Sequence, residues 1–502
     1  MTTWLSSRGL KLILGAFVVA YALNSLAATV ADPDLWGFLA FGRLFWNSPS
    51  FPYEDVFSFT PTLKPWVYHE WLSGVIFYPI YQAFGAAGLH ILKYAVGLTT
   101  IWFLYRTAVL RGAHPLAVVV LFLPILPLFR AFYNPVRPQV FTFLFVAIFL
   151  YLLERARLLG QYWPLVWVPV IMVPWANLHG GFVAGLGLLL LYAVGEALSR
   201  RVFWPYVLAL GAGILATLIN PYGLQYWHYM ADALAMPRPM ITEWMSMFHY
   251  ANYVKKETSL WHAVSFPILF FALMAFSGFL MWRSRWREFT PSIVLAVGLI
   301  LAVKHVRHFI LFYCFILAYL PICFKPYVED LSSRPGLQDL WRKTLVRQGC
   351  FALILVVTVT LATTFIRQGP WALTFPSYSQ KGKTGMYYPL DIFDYLEREQ
   401  LSGKLLVEFV WGEYVLWRFH PRITVALDGR FETVYPPEVV NDYFAFYSGL
   451  PGWERFLEKY RPDFILIKDH GKLVELLQSQ GVWQVLRREP GAVLLGPSQI
   501  NP

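Results

Sequence analysis

Charge is what this sequence has least of. Only 14% of its positions are Asp, Glu, Lys or Arg, where soluble domains carry about 25%, so the chain has too little charge to clothe a water-soluble fold of its size. Cysteine is nearly as scarce. The three present, Cys314, Cys323 and Cys350, lie in or beside apolar runs without paired spacing, which excludes a disulfide framework and a cysteine zinc site. No internal repeat recurs at a fixed period, which weighs against a transporter built from duplicated halves. What is abundant is apolar: 57% hydrophobic and 18% aromatic residues, in blocks long enough to cross a bilayer. The first, from Leu12 to Val30, spans about 28 Å as a helix, close to the ~30 Å hydrocarbon core. The chain therefore reads as a polytopic α-helical membrane protein.

The formal net charge of +11 is not a nucleic-acid signal, because the basic residues sit in short clusters between apolar spans. These are Arg8/Lys11, Arg106/Arg111, Arg155/Arg157, Arg200/Arg201, Arg283/Arg285/Arg287 and the stretch from Lys325 to Arg347. Ten further spans are predicted at about 88–105, 115–132, 138–153, 162–176, 181–198, 202–219, 262–281, 289–303, 306–324 and 349–366. Two spans separate each successive pair of clusters, so the positive-inside rule puts all of them in the cytoplasm, with the N-terminus. The last span then delivers residues 367–502 outside, and the protein is expected in a plasma (inner) membrane. The apolar stretch 71–85 would break this alternation if it crossed. At about 15 residues it is short for a span and reads as an interfacial or re-entrant helix. "SLAA" near the end of the first span loosely resembles a leader cleavage site, but that apolar run is longer than a leader's, so it reads as a retained span.

This topology sends the unusual polar motifs to the outer face. "DPD" gives Asp32 and Asp34 right after the first span, and two acids at i and i+2 in an extended turn can point into one cavity. Like charges that close share a metal, a cation or a proton. Trp36, Phe38 and Phe41 then begin a short segment suited to the membrane interface. The same loop carries Asp55 in "YEDVFSFT" and His69 and Glu70 in "YHEW". Further along come Arg137 in "YNPVRPQ", Asn177 and His179 in "NLHGG", "NPYG" at 220–223, Glu243 in "TEW", and "KHVRH" with Lys304, His305, Arg307 and His308. Positive charge on the non-cytoplasmic side runs against the orientation rule. A concentrated cation group there suits a phosphate or pyrophosphate, with Arg as bidentate donor.

The stretch "DPDLWGFLAFGRLF…PSFPYEDVFSFT…KPWVYHEWLSG" resembles the first outer loop of the GT-C superfamily of membrane glycosyltransferases, in particular its protein O-mannosyltransferase and aminoarabinose-transferase relatives. The resemblance covers most of residues 1–370. The stretch 405–431, "LLVEFVWGEYVLWRFHPRITVALDGRF", reads as strand, turn, short helix, second strand and loop. It is similar to the region around the WWDYG motif of oligosaccharyltransferase catalytic subunits. Here Trp411, Gly412, Glu413 and Tyr414 lack the double tryptophan and displace the glycine, so an Asn-X-Ser/Thr acceptor is not implied.

The resemblance implies a GT-C-like module of about 11 transmembrane helices over residues 1–366, with a large first outer loop at 31–87. A small extracytoplasmic α/β domain follows at 367–502, with amphipathic helices near 389–400, 436–446 and 471–480 and a strand at "PDFILIK". It implies transfer of a sugar from a polyprenyl-phosphate-linked donor to a glycan, protein or lipid acceptor. Asp32 or Asp34 would be the catalytic base, with Asp32 preferred as nearer the rigid end of the span. Arg137, Lys304, His305, Arg307 and His308 would hold the donor phosphate. Asp55, His69, Glu70, Asn177, His179, Glu243, Trp411, Glu413 and Tyr414 would line the acceptor cavity. A divalent metal, Mg or Mn, on Asp32, Asp34 and His179 is left open, since some members of the superfamily work without one. The alternative from another class is a non-enzymatic polyprenyl-lipid binder or flippase-like transporter, for which polar residues should run through both faces.

Overall fold

The computed structural model describes residues 8–48, 50–133, 136–236, 241–257, 260–378, 386–449, 451–469 and 471–498. Asn134 and Pro135 of the "YNPVRPQ" motif lie outside them. Each predicted apolar span is a helix. Among the described residues four helices are long and apolar enough to cross a membrane, Trp71–Leu110, Gln139–Leu159, Val306–Leu331 and Thr344–Arg367, and seven shorter apolar helices accompany them. The chain is thus a helical membrane protein carrying a mixed β-sheet region at its C-terminal end. It divides into two compact units.

The first unit comprises residues 1–29, 86–220 and 236–372. Prolines interrupt several of its helices, at 124 and 127 in Pro115–Tyr133, at 174 in Trp167–Leu178 and at 267 in Leu260–Arg283. Helices in lipid tolerate such breaks where neighbours satisfy the freed backbone groups. The helix Phe309–Tyr319 is buried along its whole length. Thr344–Arg367 is the opposite case: Leu353 is 64% and Val356 61% exposed. An apolar helix open on nearly every side is stable against lipid and not against water.

Two arginines from the basic clusters are not at the surface. Arg111 and Arg157 have side chains 2% and 3% exposed and pair with Glu154, itself fully buried, and with Glu288. Arg157 reaches Glu154 at 2.8 Å and Glu288 at 2.6 Å. Tyr192 donates to Glu154 at 2.6 Å. Two cations thus face two anions, and the helix ends they come from are tied together. The positive-inside rule counts both arginines as orienting charges; in the fold they are also the counter-ions of Glu154 and Glu288.

The second unit comprises residues 30–85, 221–235 and 373–502. It gathers the first loop with the C-terminal domain. Five strands, β1 (Gly403–Val407), β2 (Ile423–Val425), β3 (Phe464–Lys468), β4 (Trp483–Glu489) and β5 (Ala492–Pro497), form one sheet in the order β2-β1-β3-β5-β4. β1 runs parallel to both β2 and β3, while β5 is antiparallel to β3 and β4. The helix Phe409–Phe419 makes the crossover from β1 to β2, as a parallel pair demands. The amphipathic stretches appear as Leu390–Arg398, Pro437–Ser448 and Lys472–Ser479.

The first loop supplies the rest of this unit's core. The free edge of β2 is taken by residues 57–59: Val425 donates to Phe57 and Phe59 to Val425, both at 3.0 Å. An open edge is a liability that covering strands remove. The helix Pro33–Asn47 buries an unbroken run from Leu35 to Gly42. Trp36 stacks on Phe375 at 5.6 Å and meets Tyr414 edge-on at 5.0 Å, while Phe41 packs on Trp66 and Tyr68. The interfacial role expected of Trp36, Phe38 and Phe41 is therefore corrected. Their exposures are 1%, 6% and 0%, and the apolar stripe faces protein. The helix beginning at Trp71 leaves helical geometry at Gly85 (φ 59°, ψ −152°), a left-handed position that glycine takes without strain. Residues 71–84 are thus a helix of their own, ending where the first loop was expected to end.

Candidate functional site

The sequence-predicted residues fall into two groups, one in each unit. In the second unit, Asp32 caps the helix Pro33–Asn47, its Oδ1 accepting the Asp34 N–H at 3.1 Å, with Pro33 in the first turn. This is the ordinary work of an N-cap aspartate. Asp34 stands in the first turn, partly exposed, where the helix dipole favours negative charge. Glu413, from the crossover helix, is 4% exposed, and its Oε2 accepts the Gly37 N–H at 2.9 Å. A Cβ at Gly37 would collide with that carboxyl, so only glycine permits the approach. On the other side, a Cβ at Gly429 would lie 2.6 Å from Glu413 Oε1 and 3.3 Å from Asp34 Oδ1. Both carboxyls reach the backbone of Gly429.

Burial pushes the Glu413 carboxyl well above the usual carboxylate range. The charge of Asp428 and, more weakly, that of Asp32 add to this, against Arg430 and the Gly37 N–H.

Behind this pair lies a network that sequence reasoning saw only at Asp55. Arg430, 5% exposed, binds Asp428 through Nε at 2.9 Å and Nη2 at 2.7 Å, and Asp55 through Nη1. Tyr435 donates to Asp428 at 2.7 Å, and the Ser58 N–H to Asp55 at 2.9 Å. Phe57 and Trp66 stack on the guanidinium at 5.0 and 5.1 Å. One cation between two buried anions leaves an excess negative charge, and the Asp428 charge adds to the burial that raises Glu413. The available signal was the acid and base of "LDGRF" directly after an apolar strand. Asp55, its side chain fully buried, thus ties the first loop to Arg430.

Trp411 and Tyr414 also take structural places. Trp411 is fully buried and donates to the Tyr387 carbonyl at 2.6 Å, while Tyr414 packs among Trp36, Phe393 and Tyr388. His69 contacts Glu70 at 3.4 Å and the Tyr229 hydroxyl at 3.1 Å.

In the first unit, Glu243 draws two of the predicted cations together. Its Oε2 lies 3.3 Å from Arg137 Nη1 and its Oε1 3.9 Å from Arg307 Nη1. Burial would raise the Glu243 carboxyl, but Arg137, then Arg307 and His179, outweigh it and hold it below its ordinary value. Arg307 lies over the Trp244 ring at 4.4 Å, and His305 Nδ1 meets the Trp244 carbonyl at 2.6 Å. His308 Nδ1 lies 3.2 Å from the Leu301 carbonyl, and Lys304 is exposed. The "KHVRH" cluster is therefore not one cation group: Arg307 converges with Arg137, while both histidines turn to backbone carbonyls. His179 Nδ1 accepts from the Gly181 N–H at 2.9 Å and contacts Thr142 Oγ1 at 2.8 Å, which leaves its proton on Nε2. Asn177 donates to the carbonyls of Val173 and Ile219, a tie between helix and loop.

Among the described residues no group of three or more His, Cys, Asp or Glu side chains is placed to hold a metal ion.

No protein-family model matches the chain, and no curated protein is similar enough to count as a relative. Among solved structures it matches the crystal structure of ArnT from Cupriavidus metallidurans bound to undecaprenyl phosphate. That likeness has a TM-score of 0.52 at 13% identity and covers 98% of each chain. It shows the fold: the chain has an ArnT-like architecture over 98% of its length.

Proposed function

We propose that this protein is a glycosyltransferase that moves a sugar from a polyprenyl-phosphate-linked donor to an acceptor on the outer face of a plasma (inner) membrane. The observation that carries the reading is the end-to-end likeness to a structure bound to undecaprenyl phosphate, found for a chain whose first loop presents Asp34 on a helix N-terminus beside Glu413.

Asp34 is the better base of the two aspartates, because Asp32 is committed to capping the helix. The acceptor hydroxyl gives its proton to Asp34 and its oxygen attacks the anomeric carbon. The bond from that carbon to the phosphate oxygen breaks, the phosphate leaves with the electron pair, and the configuration inverts. A positioned carboxylate contributes about 10²–10⁴ in rate as general base. Arg137 and Arg307 supply the positive charge for the phosphate, the role in which arginine exceeds lysine. Glu413, raised above the usual carboxylate range by its burial, is the more weakly acidic of the two carboxyls beside Gly429.

The test is reconstitution of the full chain in vesicles with radiolabelled polyprenyl-phosphate sugars of several kinds. Consumption of carrier-bound label above protein-free vesicles supports the reading. If no donor is ever consumed, with any glycan, protein or lipid acceptor supplied, it fails.

A further inference from the structure

The two kinds of arginine–carboxylate contact in the first unit differ. Arg157 grips Glu154 with Nε at 2.9 Å and Nη2 at 2.8 Å, both side chains almost wholly buried. Glu243 meets its arginines at 3.3 and 3.9 Å, one oxygen to each, and all three side chains remain 22–23% exposed. Charge-assisted N–H···O bonds at full strength are about 2.7–2.9 Å. Glu243 is thus a slack counter-ion that bridges two cations at a solvent-reached place. Arg307 does not depend on it for orientation: Trp244 supports the guanidinium, and the surrounding segment is fixed by the Val306 N–H to the Met245 carbonyl at 3.1 Å and by His305 on the Trp244 carbonyl.

We propose that Glu243 is a stand-in for the lipid phosphate: its carboxylate occupies Arg137 and Arg307 until a polyprenyl monophosphate displaces it. This rests on the reading above that these arginines receive the phosphate. Two oxygens bridging two guanidinium groups is the arrangement a phosphate would make with more charge and a third oxygen. The carboxylate keeps the arginines from being an open anion site, so free acids and inorganic phosphate compete poorly. A tightly held dianionic headgroup, anchored by its lipid tail, repays the displacement. Glu243 is then a specificity residue and does not line an acceptor cavity.

Binding of undecaprenyl phosphate to the full chain in nanodiscs tests this, with undecaprenol as the uncharged control. Glu243→Gln should tighten binding roughly tenfold, the scale of one charge-assisted hydrogen bond no longer broken on binding. Glu243→Asp keeps the charge but is too short to bridge both arginines, and should also tighten binding. Arg137→Gln placed in the Glu243→Gln background should erase the gain. If the wild type binds and Glu243→Gln binds equally or more weakly, the stand-in role is overturned while the phosphate reading survives. If only Glu243→Gln tightens and Glu243→Asp does not, a general field effect replaces the proposal. If the wild type does not bind the phosphate over undecaprenol, both fail.

Discussion

Glu413 accepts the backbone N–H of Gly37 at 2.9 Å, so one helix of the C-terminal domain reads the first turns of the first-loop helix through a single carboxyl. Its other oxygen is turned to Gly429, which Asp34 also approaches, and burial raises the carboxyl well above the usual carboxylate range. This has a pH signature. A raised pKa means that the folded chain binds more protons than the unfolded one above about pH 4.3, the unperturbed glutamate value. Stability from this group is therefore full below that pH and is lost as pH rises toward the folded value. Glu413→Gln, which mimics the neutral form, should raise the Tm at pH 8, and the gain should shrink toward pH 4.5. A variant no more stable than wild type at pH 8 would remove the account of Glu413 as a protonated group.

Arg430 joins β2's following loop to the first loop, and its loss should be felt as instability before it is felt as chemistry. Arg430→Met leaves Asp55 and Asp428 buried without their counter-ion. Breaking a buried pair in this way costs about 3–5 kcal/mol. Expected is a marked fall in Tm and protease cleavage in residues 50–66. Adding Asp428→Leu should return part of the loss, since it removes one of the stranded charges. An Arg430→Met protein with unchanged Tm would refute the buried network.

A reporter fused after Pro502 should lie outside the cytoplasm, and one placed between residues 325 and 347 should lie inside. The prediction rests on the alternation of basic clusters. It is sharpened by the finding that Arg111 and Arg157 neutralise glutamates within the protein, which leaves Arg106 and Arg155 to represent their loops. A cytoplasmic signal after Pro502 would undo the outer-face placement of every candidate residue.

The apolar periods made the helices and the α/β domain legible, because spans and crossover units leave long, regular patterns. The stretch 405–431 gave strand, helix and strand in the right order, and the apolar stretch 71–85 appears as a helix that breaks at Gly85. What misled was the identity of the medium. An aromatic stripe such as Trp36 to Phe41 looks the same whether it faces lipid headgroups or a protein core, since both take apolar rings with a polar handle. Buried ion pairs were invisible for a similar reason. Arg430 reads as part of a turn and Arg111 as a flank of a span, and their partners lie far away in sequence, at Asp55 and Glu288. Glu243 was read as lining a cavity because its arginines, at 137 and 307, come from separate loops.

The central claim is that Asp34 does the proton chemistry of sugar transfer while Asp32 holds the helix that presents it. The direct measurement is single-turnover consumption of a labelled polyprenyl-phosphate sugar by reconstituted wild type, Asp34→Asn and Asp32→Asn, with undecaprenyl phosphate binding measured on the same preparations. The account predicts that Asp34→Asn loses about 10²–10⁴ in rate with binding within a few-fold of wild type. Asp32→Asn, whose side chain still caps a helix, should lose far less. Full turnover by Asp34→Asn, or a greater loss in Asp32→Asn, would contradict it.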